Sequence, residues 1–175
     1  MSSVDAHIDV LISREDLAAR VRALGEQITR DHAGRSLVVV GVLKGSFIFL
    51  ADLVRAIDLP ISVDFIGISS YQGASTTGVV KITSDLTRPI DGKDVLLVED
   101  IVDTGLSMRY LLDNLATRRP ASLKVCALLE KPSRARVTVP IDYRGFVIGD
   151  EFVVGYGLDW DGKMRNLPFV GVPRS

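Results

Sequence analysis

Leu37-Val38-Val39-Val40-Gly41-Val42 carries no polar side chain, so a strand built from it has no face to turn toward water. Such a strand is at home in a parallel sheet packed between helices. Asp94 to Val98 is read as a further buried strand and Leu123 to Leu129 as another strand, and Val63 to Ser69 and Val79 to Thr83 are additional strand candidates. Helical signals alternate with them. Ser13-Arg14-Glu15-Asp16 reads as a capping box before Leu17, Val21, Leu24 and Ile28, a helix expected to end near Gly34. Phe47 to Ile57, with Ser46 near its cap, and Leu106 to Leu115 supply two more. Strands and helices in this order predict right-handed crossovers and an α/β fold, a mainly parallel twisted sheet flanked by helices. The 175 residues fit one domain without repeat or linker. After Pro132 the elements shorten and Gly and Pro cluster, which predicts a small appendage on the main sheet.

Charge excludes one broad class of function. Lys and Arg number 21 against 22 Asp and Glu, a net charge of -1, so neutralising nucleic-acid phosphates is not the expected task and no nucleic-acid partner is expected. No apolar run approaches the ~20 residues that cross a bilayer, and Met1 to Ser13 lacks a basic-then-apolar leader. A cytoplasmic protein without a membrane partner is expected. Cys126 lies in an apolar run and is expected to be a buried thiol. With His7 and His32 as the two histidines, no zinc constellation exists, and any metal would be a hard cation held by oxygen.

The chemistry concentrates in Val95-Leu96-Leu97-Val98-Glu99-Asp100-Ile101-Val102-Asp103-Thr104-Gly105-Leu106-Ser107. A buried strand is read as ending in two carboxylates, and a short loop of Asp, Thr, Gly and Ser then opens a helix. Ligands of open α/β sheets bind beyond the carboxyl ends of strands. A helix N-terminus there offers backbone amides to an anion. Glu99 and Asp100 would face hydroxyls or a cation while the loop holds phosphate, demands that a sugar phosphate meets together. The plain alternative is a strand followed by an ordinary acidic cap.

This segment resembles the phosphoribosyl pyrophosphate signature of the type I phosphoribosyltransferases. Leu43-Lys44-Gly45-Ser46, Ser70-Tyr71, Lys131, and Phe152-Val153-Val154-Gly155-Tyr156 with Asp159 and Arg165 are similar to the hypoxanthine-guanine branch, and the likeness spans Val38 to Val172. The resemblance implies a single domain with a small hood from about 1–13 and 150–175. It implies transfer of a phosphoribosyl group from phosphoribosyl pyrophosphate to N9 of a 6-oxopurine, with Mg2+ as cofactor and a homodimer or homotetramer as assembly.

By the same resemblance, Glu99 and Asp100 hold the ribose hydroxyls directly or through magnesium, and Asp103 meets the purine N7 as general base. Asp103, Thr104, Gly105, Leu106 and Ser107 cradle the 5′-phosphate; Leu106 is a departure, since a Lys often stands there in relatives. Lys44, Gly45 and Arg165 bind pyrophosphate. Lys131 selects an O6 acceptor, Phe152 stacks on the base and the Val153 backbone reads its edge. Asp159 joins Glu99 and Asp100 as a metal ligand and borders the purine. Ser70 and Tyr71 begin a mobile lid, and relatives have a cis peptide at Leu43-Lys44. Ordinary roles compete at each position: a solvated Lys131, a core strand at Phe152 to Tyr156, a basic turn at Arg165, a capping Asp103. Rival functions are a xanthine- or guanine-preferring relative and a nucleic-acid-binding regulator on the same fold. A dinucleotide oxidoreductase lacks its G-x-G-x-x-G fingerprint.

Overall fold

The computed structural model describes residues 7–71 and 79–174. In chain order the elements are β1 (Ile8–Ile12), α1 (Arg14–Asp31), β2 (Leu37–Leu43), α2 (Phe47–Ala56), β3 (Ser62–Tyr71), β4 (Val79–Ser84), β5 (Asp94–Val102), α3 (Leu106–Ala116), β6 (Ser122–Glu130), β7 (Tyr143–Val147) and β8 (Val170–Pro173). Six strands form one sheet in the order β4-β3-β2-β5-β6-β7, and β1 pairs with β8 in a separate two-stranded sheet. Among the described residues, only β4 runs antiparallel within the large sheet.

The apolar runs become strands because both faces are covered. Val39, Leu96, Val98 and Leu128 point into a core filled by Leu17, Leu24 and Ile28 of α1 and by Phe49 and Leu53 of α2. Val38, Val40, Leu97 and Val125 point the other way, onto Met108, Leu111 and Leu115 of α3. Alternate residues of each strand thus feed opposite cores, as the two-residue period of a strand requires. Cys126 is fully buried, and burial pushes its thiol pKa far up, so it is an inert core side chain. Ser13 caps α1, its hydroxyl accepting from the Asp16 amide at 3.1 Å.

Three expectations are corrected. Glu99 and Asp100 do not end their strand: β5 continues to Val102, because β6 keeps pairing beside it as far as Val102 with Glu130. The segment after Pro132 is not wholly an appendage, since β7 adds to the main sheet parallel to β6. Ser46 holds the N-cap position of α2 as expected, but its buried hydroxyl donates back to Val42 O at 2.6 Å and makes no side-chain cap bond. Ser70 and Tyr71 are paired strand residues opposite Val80 and Val79. The rest of the expected lid, Gln72 to Thr77, lies outside the described residues.

Candidate active site

Sheet order locates a crevice before any side chain is considered. From β2 the chain moves outward to β3, while β5 lies on the other side of β2 and leads outward to β6 and β7. Ligands of such sheets bind at this switch, beyond the carboxyl ends of the two central strands. Those ends are Leu43-Lys44-Gly45 and Glu99 to Gly105. The Leu43-Lys44 peptide is cis, and the two segments touch. A Cβ on Gly45 would lie 1.8 Å from Asp100 Oδ2, so a glycine is what permits the contact. On its far side Gly45 O packs against Gly157, where a Cβ would come within 2.2 Å of it. Lys44 is exposed and extends from this loop.

Asp103 and Thr104 lead into Gly105, whose φ of +83° suits glycine and which precedes the 11 residues of α3. The first bond of that helix runs from Arg109 N to Gly105 O at 2.9 Å. The earlier amides therefore cluster at the positive end of the helix, with Leu106 N directed at Thr104 Oγ1 at 3.4 Å. A cavity of about 80 Å³ opens here, lined by Glu99, Asp103, Thr104, Gly105 and Ser107 among others. Leu106 points outward, 40% exposed. It contributes an amide to this corner and no charge.

Glu99 is buried at 8% exposure. Burial pushes its pKa well above the usual carboxylate range, and the neighbouring Asp100 charge pushes the same way. A cation or a ring of hydroxyl donors would relieve that unfavourable environment. Asp103 Oδ1 accepts from Arg134 Nε at 2.6 Å. Lys131 is not a solvated surface residue: it is 6% exposed, and its Nζ donates to Glu151 O at 2.7 Å. Its amide donates to Val102 O at 3.0 Å, which seats it beside Asp103 at the strand ends.

Phe152 is 55% exposed rather than part of a core strand, and Trp160 meets it edge-on with ring centroids 6.1 Å apart. An exposed aromatic held by a second ring is suited to stacking on a flat partner. Val153 is buried. Arg165 links Gly157 to Asp159, donating through Nη1 to Gly157 O at 2.6 Å and pairing through Nη2 with Asp159 at 2.9 Å. Asp159 also accepts from Gly162 N at 2.7 Å. Gly45, Asp100, Gly157, Asp159 and Arg165 thus form one connected corner.

The carboxylates offer hard oxygen donors of the kind magnesium prefers. Among the described residues no three His, Cys, Asp or Glu side chains converge on one point, so Glu99, Asp100 and Asp159 do not form a protein cage. That arrangement fits an ion sharing one or two carboxylates with a substrate's own oxygens. A much larger cavity, about 710 Å³, lies elsewhere among the described residues, between α1, α2 and the segment from Tyr156 to Pro168. It shares Arg165 with the crevice but none of the carboxylates near β5, so size does not mark the chemistry here.

Arg134, Trp160 and Glu151 were not singled out by sequence. Arg134 stands soon after Lys131 in a basic stretch, a signal present but indistinct, while Glu151 acts through a backbone carbonyl that no side-chain pattern reveals.

Comparison with known proteins follows the same lines. Residues 11–161 match the family model described as phosphoribosyl transferase domain. A hypoxanthine phosphoribosyltransferase of Haemophilus influenzae is 52% identical over 169 residues, covering 94% of each chain. The Escherichia coli enzyme of that name is 48% identical, again with 94% of each chain covered. Among solved structures, a Bacillus anthracis hypoxanthine-guanine phosphoribosyltransferase with HEPES in its active site superimposes with a TM-score of 0.91 at 48% identity, covering 95% of this chain and 98% of that one. A Trypanosoma cruzi hypoxanthine phosphoribosyltransferase in complex with the product IMP gives 0.89 at 41% identity, over 94% and 93%. With two sheet ends meeting at an anion-ready loop and a family model matching most of its length, this chain belongs to the phosphoribosyl transferase domain family.

Proposed function

We propose that the chain is a purine-salvage enzyme that transfers the 5-phosphoribosyl group of phosphoribosyl pyrophosphate to N9 of hypoxanthine or guanine, giving IMP or GMP and pyrophosphate. One observation carries this reading. At the switch point between β2 and β5, a phosphate-sized corner with helix-start amides, two carboxylates and a glycine loop lie in contact, followed by the buried Lys131. Close relatives named for this activity, matched over nearly their whole length, support it.

In the reaction the bond from C1′ to the pyrophosphate oxygen breaks, the electron pair leaves with pyrophosphate, and C1′ bonds to purine N9. The proton lost by the base passes to Asp103. Positive charge builds on the ribose, and the carboxylates of Glu99 and Asp100 stand where they would stabilise it. The amides around Gly105 fix the 5′-phosphate, and Lys44, the Gly45 backbone and Arg165 grip the leaving group, so that the reacting atoms are aligned. Asp100, Glu99 or Asp159 would hold magnesium, which would supply charge neutralisation for the leaving pyrophosphate. Lys131 Nζ donates to O6 of the base, and the same group would repel the amino hydrogens of adenine. Phe152 stacks on the ring while the Val153 backbone meets its edge. Ser70 and Tyr71, at the end of β3, open the segment that would shield the ribose from water.

A homo-oligomer in the cytoplasm is part of the same proposal; among the described residues no helix is long and apolar enough to cross a membrane. The test is a steady-state assay of hypoxanthine, guanine, xanthine and adenine with phosphoribosyl pyrophosphate and magnesium. The expected result is turnover of hypoxanthine or guanine far above adenine. Turnover of none, or preference for adenine, refutes the reading, and preference for xanthine moves the chain to the neighbouring specificity.

A further inference from the structure

Arg134 is bonded to the one side chain that the proposed chemistry asks to accept a proton. Its Nε donates to Asp103 Oδ1 at 2.6 Å, and among the described residues Asp103 Oδ2 takes no hydrogen bond. The two side chains are 47% and 39% exposed, and an exposed pair of this kind adds little to fold stability. What sets this one apart is the backbone that carries it. Arg134 ends a single 3-10 turn, Pro132–Arg134. That turn is tied on both sides of Asp103: Lys131 N donates to Val102 O at 3.0 Å, and Arg136 N and Val137 N donate to Thr104 O at 2.9 and 3.1 Å. Val137 O also closes on Gly105, where a Cβ would come within 2.3 Å of it. At the other end Lys131 Nζ holds Glu151 O, and Ser133 Oγ donates to Asp150, whose charge also faces Arg134. The guanidinium is therefore presented from a fixed frame that also holds the base-selecting lysine and the phosphate loop.

We propose that Arg134 is a positioning residue for the transfer reaction: it engages Asp103 through Oδ1 and leaves Oδ2 turned to the purine as the oxygen that takes the proton. This deepens the function proposed above and rests on it. A planar, permanently charged guanidinium is suited to the task, because it fixes the carboxylate without competing for the proton. Two consequences separate this from a surface ion pair. Arg134 should matter to kcat far more than to folding, and it should matter only through Asp103.

The experiment is a cycle of wild type, Arg134→Ala, Asp103→Asn and the double variant, with Arg134→Lys beside them, assayed with hypoxanthine and phosphoribosyl pyrophosphate. Misplacing a reacting group by about 1 Å costs up to ~10²-fold, so Arg134→Ala is expected to lower kcat by ~10- to 100-fold. The KM for phosphoribosyl pyrophosphate and the thermal midpoint should scarcely change. Arg134→Lys should recover part of the loss, and guanidinium chloride added to Arg134→Ala should recover part as well. In the Asp103→Asn background, Arg134→Ala should remove nothing more, the mark of two residues acting as one unit. Wild-type kcat in Arg134→Ala overturns the inference, and so does an equal loss in both backgrounds. A wild-type enzyme inactive on every base overturns the proposed function itself, and this inference with it.

Discussion

Replacing Gly45 with alanine puts a methyl group where Asp100 already is. The new Cβ would lie 1.8 Å from Asp100 Oδ2 and 2.6 Å from its Cγ, whereas non-bonded carbon contacts settle at about 3.5–4.0 Å. A separation must open by well over ~1 Å, and neither side yields freely. Asp100 Oδ1 accepts from Ile101 N at 2.8 Å, so swinging the carboxylate away strains or breaks that bond. The Gly45 loop is backed by Gly157, which leaves room for Gly45 O only because it has no side chain. Overpacking of this kind typically costs about 1–3 kcal/mol, which for a chain of this length is a fall of roughly 2–12 °C in Tm. The functional cost should be larger, since a displacement of about 1 Å at a ligand-holding carboxylate is worth up to ~10²-fold in kcat/KM for phosphoribosyl pyrophosphate. Thermal unfolding and steady-state kinetics read the two effects separately. The decisive variant combines Gly45→Ala with Asp100→Ala. Removing the carboxylate should relieve most of the stability loss that Gly45→Ala causes and restore no activity. If Gly45→Ala leaves Tm and kcat/KM unchanged, or if its stability loss persists undiminished beside Asp100→Ala, the packing argument for this corner is wrong.

Three further outcomes are expected. Lys131→Met removes a charged donor to O6, a hydrogen bond worth about 1.5–3 kcal/mol; kcat/KM for hypoxanthine should fall by ~10- to 150-fold and discrimination against adenine should shrink, and unchanged base preference would return Lys131 to a structural role. Asp103→Asn should lower kcat while leaving the affinity for phosphoribosyl pyrophosphate, measured by calorimetry, nearly as it was; equal turnover would remove Asp103 from the chemistry. Asp64 is a test of stability rather than catalysis. Burial raises its pKa, but bonds from the amides of Phe65, Thr87 and Arg88 and from the Thr87 hydroxyl outweigh this and hold it below the usual carboxylate value. A depressed carboxylate stabilises the fold above its unfolded pKa of about 3.9 and loses that contribution as pH falls through the lower folded value. Asp64→Asn should therefore cost about 1–3 kcal/mol at neutral pH, and the gap to wild type should close in acid. A gap that stays constant with pH in urea titrations would refute the assignment.

The sheet could be anticipated because its central strands contain long apolar runs, Leu37 to Leu43 and Val95 to Val98, and buried parallel strands are what such runs make. Edges and ends were harder. β7 reads Tyr-Arg-Gly-Phe-Val, too short and mixed to stand out, and it joins the sheet because β6 offers an unpaired neighbour. Glu99 and Asp100 look like the end of a strand because they are charged, yet the ladder with β6 carries the backbone past them to Val102. At the candidate site, residue types in order along β5 and its loop were enough to suggest an anion corner. The contacts that assemble it were not. Gly45 under Asp100, Lys131 on Glu151 and Arg134 on Asp103 join residues distant in sequence through backbone atoms or single bonds. Neither periodicity nor spacing encodes those. Phe152 shows the limit in the other direction: Phe-Val-Val-Gly-Tyr has the composition of a strand, but the turns at Gly155 and Tyr156, both at positive φ, leave its ring at the surface beside Trp160.

The central claim is that the sugar-phosphate donor sits where β2 and β5 end. A crystal structure of Asp103→Asn with phosphoribosyl pyrophosphate and magnesium tests it most directly, because slowed turnover preserves the donor. The 5′-phosphate is expected against the amides around Gly105, the ribose hydroxyls at Glu99 and Asp100, and the pyrophosphate between Gly45 and Arg165. Density for the donor in the cavity between α1 and α2, with the loop after β5 empty, would contradict it.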